Sequence, residues 1–151
     1  MSFNPHLARA IERIGRLERT IEELALLPQR VAVAAAPKLT RLLQKQFAKG
    51  VDPYGHRWAP IKPSTKRRRK GSKTAPPLTD TRKLRAGTAV KPTRAGARLQ
   101  LGAPYGYFAQ VGTKHAPARR IFPQFGLPAE WRKVLRDCAR DERKRILERA
   151  R

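Results

Sequence analysis

The sequence predicts an α+β fold in which a small antiparallel sheet packs against two or three helices. Apolar residues recur every three or four positions in two stretches before residue 50 and in one after residue 128, which is the period of an α-helix. Between residues 88 and 101 they alternate instead, which is the period of a β-strand. With 151 residues, 40% of them hydrophobic, the chain has the size of one domain and enough apolar material for a core.

The first helix is predicted from its start signal and its apolar stripe. Asn4 caps free backbone N–H groups and Pro5 suits the first helical turn, while Pro28 ends the helix. We therefore expect residues 1–27 to form an N-terminal amphipathic helix that partly projects from a single domain of residues 28–151. Its stripe consists of Leu7, Ile11, Ile14, Leu17, Ile21 and Leu24.

A second helix is predicted to run to Lys49, with Gly50 as its C-terminal stop. Pro37 is expected to kink this helix or to delay its start, because proline has no N–H for the helical hydrogen bond. The face predicted to meet the core carries Leu39, Leu43 and Phe47.

A half-buried hairpin is predicted in the middle of the chain. Residues 78–85 are expected to form a turn or a short strand before it. Thr88 and Val90 alternate on the first strand, and residues 92–96 form the loop. The inner face of the second strand carries Ala97, Leu99 and Leu101.

After the hairpin, we expect a plug of large side chains between sheet and helices, formed by Tyr105, Tyr107, Phe108 and Val111. Residues 119–122 are predicted to form another short strand. Pro128 is predicted to begin the last helix, with Ile146 near its apolar face. That face carries Trp131, Leu135 and Cys138.

A tight turn is predicted directly after the second helix. Asp52 caps the turn, Pro53 fixes φ and Gly55 supplies positive φ, so this loop should be ordered. Trp58 then anchors the returning chain. We assign these four residues a structural role.

The charge is concentrated in the middle of the chain. The net charge is +24, and residues 24–129 carry 22 Lys and Arg against only Asp52 and Asp80. We expect a mobile basic loop at residues 62–77 that binds an anionic partner, because self-repulsion extends such a segment. Its candidate contact residues are Lys62, Lys66, Arg67, Arg68, Arg69, Lys70 and Lys73, with Arg119 and Arg120 as secondary basic contacts.

The inventory of reactive groups does not favour an enzyme. Three widely spaced His residues and one Cys match no metal-ligand spacing, so we expect no metal, no cofactor and no catalytic residue. Cys138 is expected to be a buried structural thiol. No apolar run reaches the roughly 18 to 20 residues that span a bilayer, so we expect no membrane contact.

Three motifs follow one another along the chain. They are Phe47-x-x-Gly50-x-Asp52-Pro53-x-Gly55-x-x-Trp58-Ala59-Pro60-Ile61, then Leu78-Thr79-Asp80-Thr81 with Leu84, then Tyr107-Phe108-Ala109-Gln110-Val111-Gly112-Thr113. Together they resemble the phage virion morphogenesis, or tail-completion, family. The resemblance runs from about Val31 to Phe125, and its most specific part is the Asp-Pro-x-Gly-x-x-Trp turn at a fixed distance after an amphipathic helix. The glycine of the family's Leu-x-x-Thr-Gly-x-Leu element is missing here.

The resemblance implies a non-enzymatic virion protein that completes the tail or neck so that tail and head can join. It implies a ring of identical subunits, neighbouring neck and tail proteins as partners, a place at the tail top of the virion, and assembly in the host cytoplasm. The basic loop would then meet an acidic neighbour or the packaged DNA. Two alternatives stay open. Charge alone also suits a small basic RNA-binding protein associated with ribosomes, and a DNA-processing enzyme would require metal-dependent cleavage activity.

Overall fold

A computed structural model describes residues 5–71 and 73–150 of the chain. These residues form six helices and one two-stranded antiparallel sheet, which confirms the predicted α+β class. The elements are α1 (Pro5–Ala25), α2 (Leu27–Lys49), α3 (Pro63–Arg68), α4 (Lys83–Gly87), β1 (Ala89–Thr93), β2 (Gly96–Gln100), α5 (Gly106–Val111) and α6 (Ala129–Arg149).

The two long N-terminal helices follow one another with a break of one residue at Leu26. Pro28 lies in the first turn of α2, where its missing N–H costs little. Asn4, the predicted cap of α1, lies outside the described residues. Pro37 is accommodated inside α2, and Gly50 ends that helix in the left-handed conformation at φ 66°, as predicted.

Helix α2 is the centre of the fold because it packs against both β1 and α6. The predicted face of α2 is buried, with Leu43 and Phe47 fully enclosed. Phe47 meets Trp58 edge to face, with ring centroids 5.5 Å apart. The last helix contributes Trp131, Cys138 and Ile146 as predicted, and Leu135 packs partly buried at the edge of the core.

The hairpin pairs β1 with β2 in an antiparallel register that sets Val90 opposite Leu99. The Thr40 hydroxyl of α2 accepts a hydrogen bond from the Val90 amide at 3.0 Å, which fixes β1 on the helix. The pair itself was predicted correctly, but its half-burial holds only for β1. Most of β2 is exposed, since α2 lies mainly against β1 and Leu99 keeps 38% of its surface accessible.

Residues 78–85 contain no strand; a turn leads into α4. Leu84 of α4 is fully buried, and its carbonyl accepts hydrogen bonds from both the amide and the hydroxyl of Thr88. Gly87 and Gly102 lie backbone to backbone, so close that a Cβ on Gly87 would meet the Gly102 Cα at 2.6 Å. The sequence pattern missed this contact because it needs two glycines that are distant in the chain.

Candidate assembly surfaces

Hydrogen bonds to the Asp52 side chain close the turn that follows α2. One Asp52 carboxylate oxygen accepts hydrogen bonds from the Tyr54 and His56 amides, both at 2.9 Å, and the other lies 3.1 Å from His56 Nδ1. Gly55 adopts φ 92°, which a side chain would strain. Pro53 directly follows the buried Asp52. The residues of the Asp-Pro-x-Gly sequence therefore form one compact loop.

The same turn fastens a distant segment of the chain. The Trp58 indole donates to the Arg120 carbonyl at 2.9 Å. The Tyr54 hydroxyl donates to the Gly126 carbonyl at 2.8 Å and accepts from the Phe125 amide at 2.9 Å. The motif therefore joins the end of α2 to residues 120–126, which explains why tryptophan stands at the end of this motif.

The basic loop at residues 62–77 is more regular than the sequence predicted. It contains the short helix α3, because Pro63 fixes the first-turn geometry and Lys66, Arg67 and Arg68 favour helix. The repulsion that we expected to extend the loop costs only about 0.2 to 0.5 kcal/mol for each pair of like charges on a helix, which is too little to prevent one helical turn. Its cationic side chains lie exposed at Lys62, Lys66, Arg67, Arg68, Lys70 and Lys73.

Arg69, the seventh predicted contact residue, is half-buried and faces inward. Its guanidinium donates to the carbonyls of Ala75 at 2.6 Å and Pro76 at 2.9 Å. The Gly71 amide donates to the Asp80 carboxylate at 2.9 Å, which closes the loop on its other side. Arg69 thus holds the backbone that displays the six exposed cations, which together we call the basic segment.

The two secondary basic residues have different surroundings. The Arg119 guanidinium donates to the carbonyls of Ala59 at 2.9 Å and Pro60 at 3.1 Å. Burial lowers the pKa of Arg119 below its usual value, and the positive charge of nearby Arg69 lowers it further. The structure therefore brings Arg69 and Arg119 near each other, and both side chains donate hydrogen bonds to backbone carbonyls. Arg120 instead lies over the Phe125 ring, 5.2 Å from its centroid.

Residues 119–122 do not form a strand, because a side chain supplies the hydrogen bonds that a partner strand would have made. Gln110 Oε1 accepts from the Ile121 amide at 2.7 Å and the Phe122 amide at 2.9 Å, and Gln110 Nε2 donates to the Phe122 carbonyl at 3.0 Å. Sequence reasoning missed this role. The only available signal was a polar residue within an otherwise apolar run.

The predicted aromatic plug is wrong. Tyr105, Tyr107, Phe108 and Val111 are between 46% and 60% exposed. They lie on or next to α5, whose buried position is Gly106, since the Leu84 side chain packs where a Gly106 Cβ would stand. Tyr107 and Phe108 stack edge to face at 5.8 Å and form a second exposed apolar surface.

The apolar stripe of α1 is also exposed. Leu7, Ile11, Ile14, Leu17 and Ile21 have accessible fractions from 56% to 65%. Helix α1 packs sparsely on α6 and α2, and an ion pair of 3.6 Å joins Glu23 to Arg30. A helix this amphipathic, with its apolar face in water, matches the predicted projecting segment.

Three further observations concern metal-binding groups, the cysteine and helix hydropathy. Among residues 5–71 and 73–150, His, Cys, Asp and Glu side chains do not gather in groups of three or more that could hold a metal ion. Cys138 is buried, as predicted, with Lys38 Nζ at 3.6 Å from its sulfur. No described helix combines the length and hydropathy that a membrane span requires.

Comparison with known proteins places this geometry in context. No curated protein and no solved structure matches the chain significantly. The profile of the phage virion morphogenesis family matches residues 8–151. That match extends beyond the three motifs to include most of α1 and all of α6. The chain therefore belongs to the phage virion morphogenesis family.

Proposed function

We propose that this protein completes the phage tail or neck and lets the tail join the DNA-filled head, working as a ring of identical subunits without enzymatic activity. The family match supports a structural role in building the virion. It favours that role over the ribosome-associated RNA binding that charge alone left open. The proposed place of action is the top of the tail, and assembly would take place in the host cytoplasm.

The observation that carries the joining role is the basic segment. Its six cations lie exposed on a loop whose backbone is closed by Arg69 and Asp80. A loop whose backbone is already fixed by hydrogen bonds loses less conformational entropy on binding than a free loop does. It is therefore well suited to bind an anionic surface. Repeating the segment around a ring would multiply the positive field at the joint.

The two parts of the chain have separate roles in this proposal. Residues 28–151 form the α+β body that presents the basic segment, with Arg120 as a secondary contact. Within residues 1–27, helix α1 extends an apolar face toward a neighbouring subunit. The other partners are adjacent neck and tail proteins, and either an acidic face of such a protein or the packaged DNA meets the basic segment.

Complementation of a lysate tests the joining role. The lysate comes from phage whose copy of this gene carries a stop codon, so heads and tails accumulate separately, and purified protein is added. Wild-type protein should restore infectious particles. Changing Lys66, Arg67, Arg68 and Lys70 to Gln should abolish restoration while leaving the circular dichroism spectrum and the melting temperature unchanged. Arg69 is retained because it holds the loop.

A matched control removes the same charge elsewhere. Arg132, Lys133, Arg136 and Arg143 are exposed on α6, and their replacement by Gln lowers the net charge equally. The control variant should join heads to tails like the wild type. Full joining by the basic-segment variant, or equal loss in both variants, would refute the proposal that this segment is the contact.

The salt dependence of DNA binding separates the two anionic partners. Each phosphate neutralised on duplex DNA contributes about −0.9 to the slope of log affinity against log salt. Removing four phosphate contacts should therefore reduce the slope by about 3.6. If the variant loses joining but keeps the wild-type slope, the basic segment binds an acidic protein rather than DNA.

A further inference from the structure

The apolar stripe of α1, which is exposed from Leu7 to Ile21 and half-buried at Leu24, follows a seven-residue repeat. Positions a of the repeat, counted as abcdefg, are Leu7, Ile14 and Ile21, and positions d are Ala10, Leu17 and Leu24. The second and third heptads have isoleucine at a and leucine at d, the combination that favours two parallel strands, because each side chain then fits between residues of the facing helix. Residues 7–24 span about 26 Å of helix.

We propose that α1 binds α1 of a second copy of this chain as a parallel, in-register, two-stranded coiled coil. The inference rests on the self-association in the proposed function and deepens it, since it names the surface and the direction of one contact between subunits. The stripe residues are the most extended set of large apolar side chains that the described chain leaves exposed.

Charge complementarity fixes the direction of the pair. Arg13 occupies position g and Glu18 the following position e. In a parallel pair, g of one helix lies beside the next e of the other, so Arg13 meets Glu18 of the second copy twice by symmetry. In an antiparallel pair, g faces g, and Arg13 would meet Thr20. Within the described residues, neither Arg13 nor Glu18 forms an ion pair.

The net charge also favours α1 as the place where two copies meet. Residues 5–25 carry four Arg and four Glu, so this helix is neutral in a chain of charge +24. Two bodies with a large positive charge repel one another, and a neutral helix lets them approach with the least repulsion.

The body of the subunit leaves this face free. Arg16, Thr20 and Glu23 of α1 line a shallow cavity together with Ile146 and Ala150 at the end of α6. Arg16 and Glu23 occupy position c and Thr20 occupies position g, so the cavity lies on the side of α1 that carries c and g, and none of the a and d residues lines it. A second α1 can therefore bind along the a and d positions without displacing α6.

Disulfide trapping tests the orientation. Ile14→Cys places a thiol at position a, which faces its own copy in a parallel pair and faces position d in an antiparallel pair. Under mild oxidation, Ile14→Cys should form a covalent dimer, and Glu12→Cys, on the opposite side of α1, should not. The native Cys138 is buried, so it adds little background. If Ile14→Cys links to Leu17→Cys in preference to itself, or does not link at all, the parallel pair is refuted.

A charge exchange tests the register. Arg13→Glu and Glu18→Arg each set like charges opposite one another, so each variant should self-associate about tenfold more weakly than the wild type in sedimentation velocity. An equimolar mixture should regain the wild-type affinity, because every pair is then opposite in sign. Both substitutions lie on an exposed helix face, so misfolding cannot account for recovery on mixing. A mixture no stronger than its components would overturn the inference.

The same measurements distinguish this inference from the proposed ring. A wild-type protein that sediments as an oligomer, while Leu17→Glu sediments identically, contradicts the coiled coil and leaves the ring standing. A wild-type protein that is monomeric at every concentration contradicts both. A shift of Leu17→Glu toward smaller species supports the coiled coil.

Discussion

Replacing Gln110 with Ala should destabilise the fold more than its partly buried position suggests. The side chain makes three hydrogen bonds to the backbone of Ile121 and Phe122, and Ile121 is only 1% exposed. Each bond contributes about 1 kcal/mol net, and the groups left without partners are poorly placed to reach water. The expected loss is therefore about 3 kcal/mol in the free energy of unfolding, or a fall of about 6 to 12 °C in melting temperature for a domain of this size.

Two further variants isolate the hydrogen bonds. Gln110→Glu keeps the oxygen that accepts from both amides but sets a second carboxylate oxygen against the Phe122 carbonyl, where two acceptors repel, so it should be less stable than the wild type. Gln124→Ala removes an exposed glutamine from the same region and should change the stability by less than about 0.5 kcal/mol.

Urea denaturation followed by tryptophan fluorescence measures these differences, with an unchanged m-value as the sign that the unfolded state is not altered. Hydrogen exchange at the amides of residues 121 and 122 should quicken in Gln110→Ala before the rest of the core is affected. If Gln110→Ala is as stable as Gln124→Ala, the side chain does not substitute for a strand and the reasoning is wrong.

Gly102→Ala should destabilise the protein by several kcal/mol, because its Cβ would stand 2.7 Å from the backbone of Gly87, whereas Gly15→Ala, with nothing within 4 Å, should stabilise α1 by about 0.5 to 1 kcal/mol. Equal melting temperatures for the two variants would contradict the close approach. Arg69→Gln should increase hydrogen exchange and proteolysis in residues 69–80, because two carbonyls lose their donor. Its exposed neighbour provides the matched control, Arg68→Gln, which should leave both measurements unchanged.

Much of the fold is predictable because periodicity reports which face of an element is apolar. Leu39, Leu43 and Phe47 recur at helical spacing, and all three are buried. The turn-forming residues were equally informative, because Asp52 and Gly55 together restrict the backbone to a few turn conformations. These signals are local, so a single stretch of sequence contains them.

Periodicity does not report what covers an apolar face. The aromatic residues of α5 were predicted to fill the core, yet they are exposed in the isolated subunit, as is the equally apolar stripe of α1 that was predicted to project. The sequence placed Tyr107 and Phe108 inside, because it contains no signal for the fit between Gly106 and Leu84 that turns them outward. Whether an apolar face serves the core or an interface depends on distant contacts.

For the candidate site, too, the sequence predicted one part and missed another. Composition identified the basic segment, but it did not separate Arg69 and Arg119, which brace backbone carbonyls, from the exposed cations around them. That distinction depends on the carbonyls of residues 59–60 and 75–76, which come close only in the folded chain. The structure therefore shows that a test of the contact surface should replace the exposed cations and retain Arg69 and Arg119.

Electron microscopy of intact phage particles tests the central claim most directly. The account predicts that density for this fold, with α2 between the hairpin and α6, lies in several symmetric copies where tail meets head, with the basic segment against protein or DNA. Finished particles that lack the protein, or that hold it away from this joint, would contradict the account.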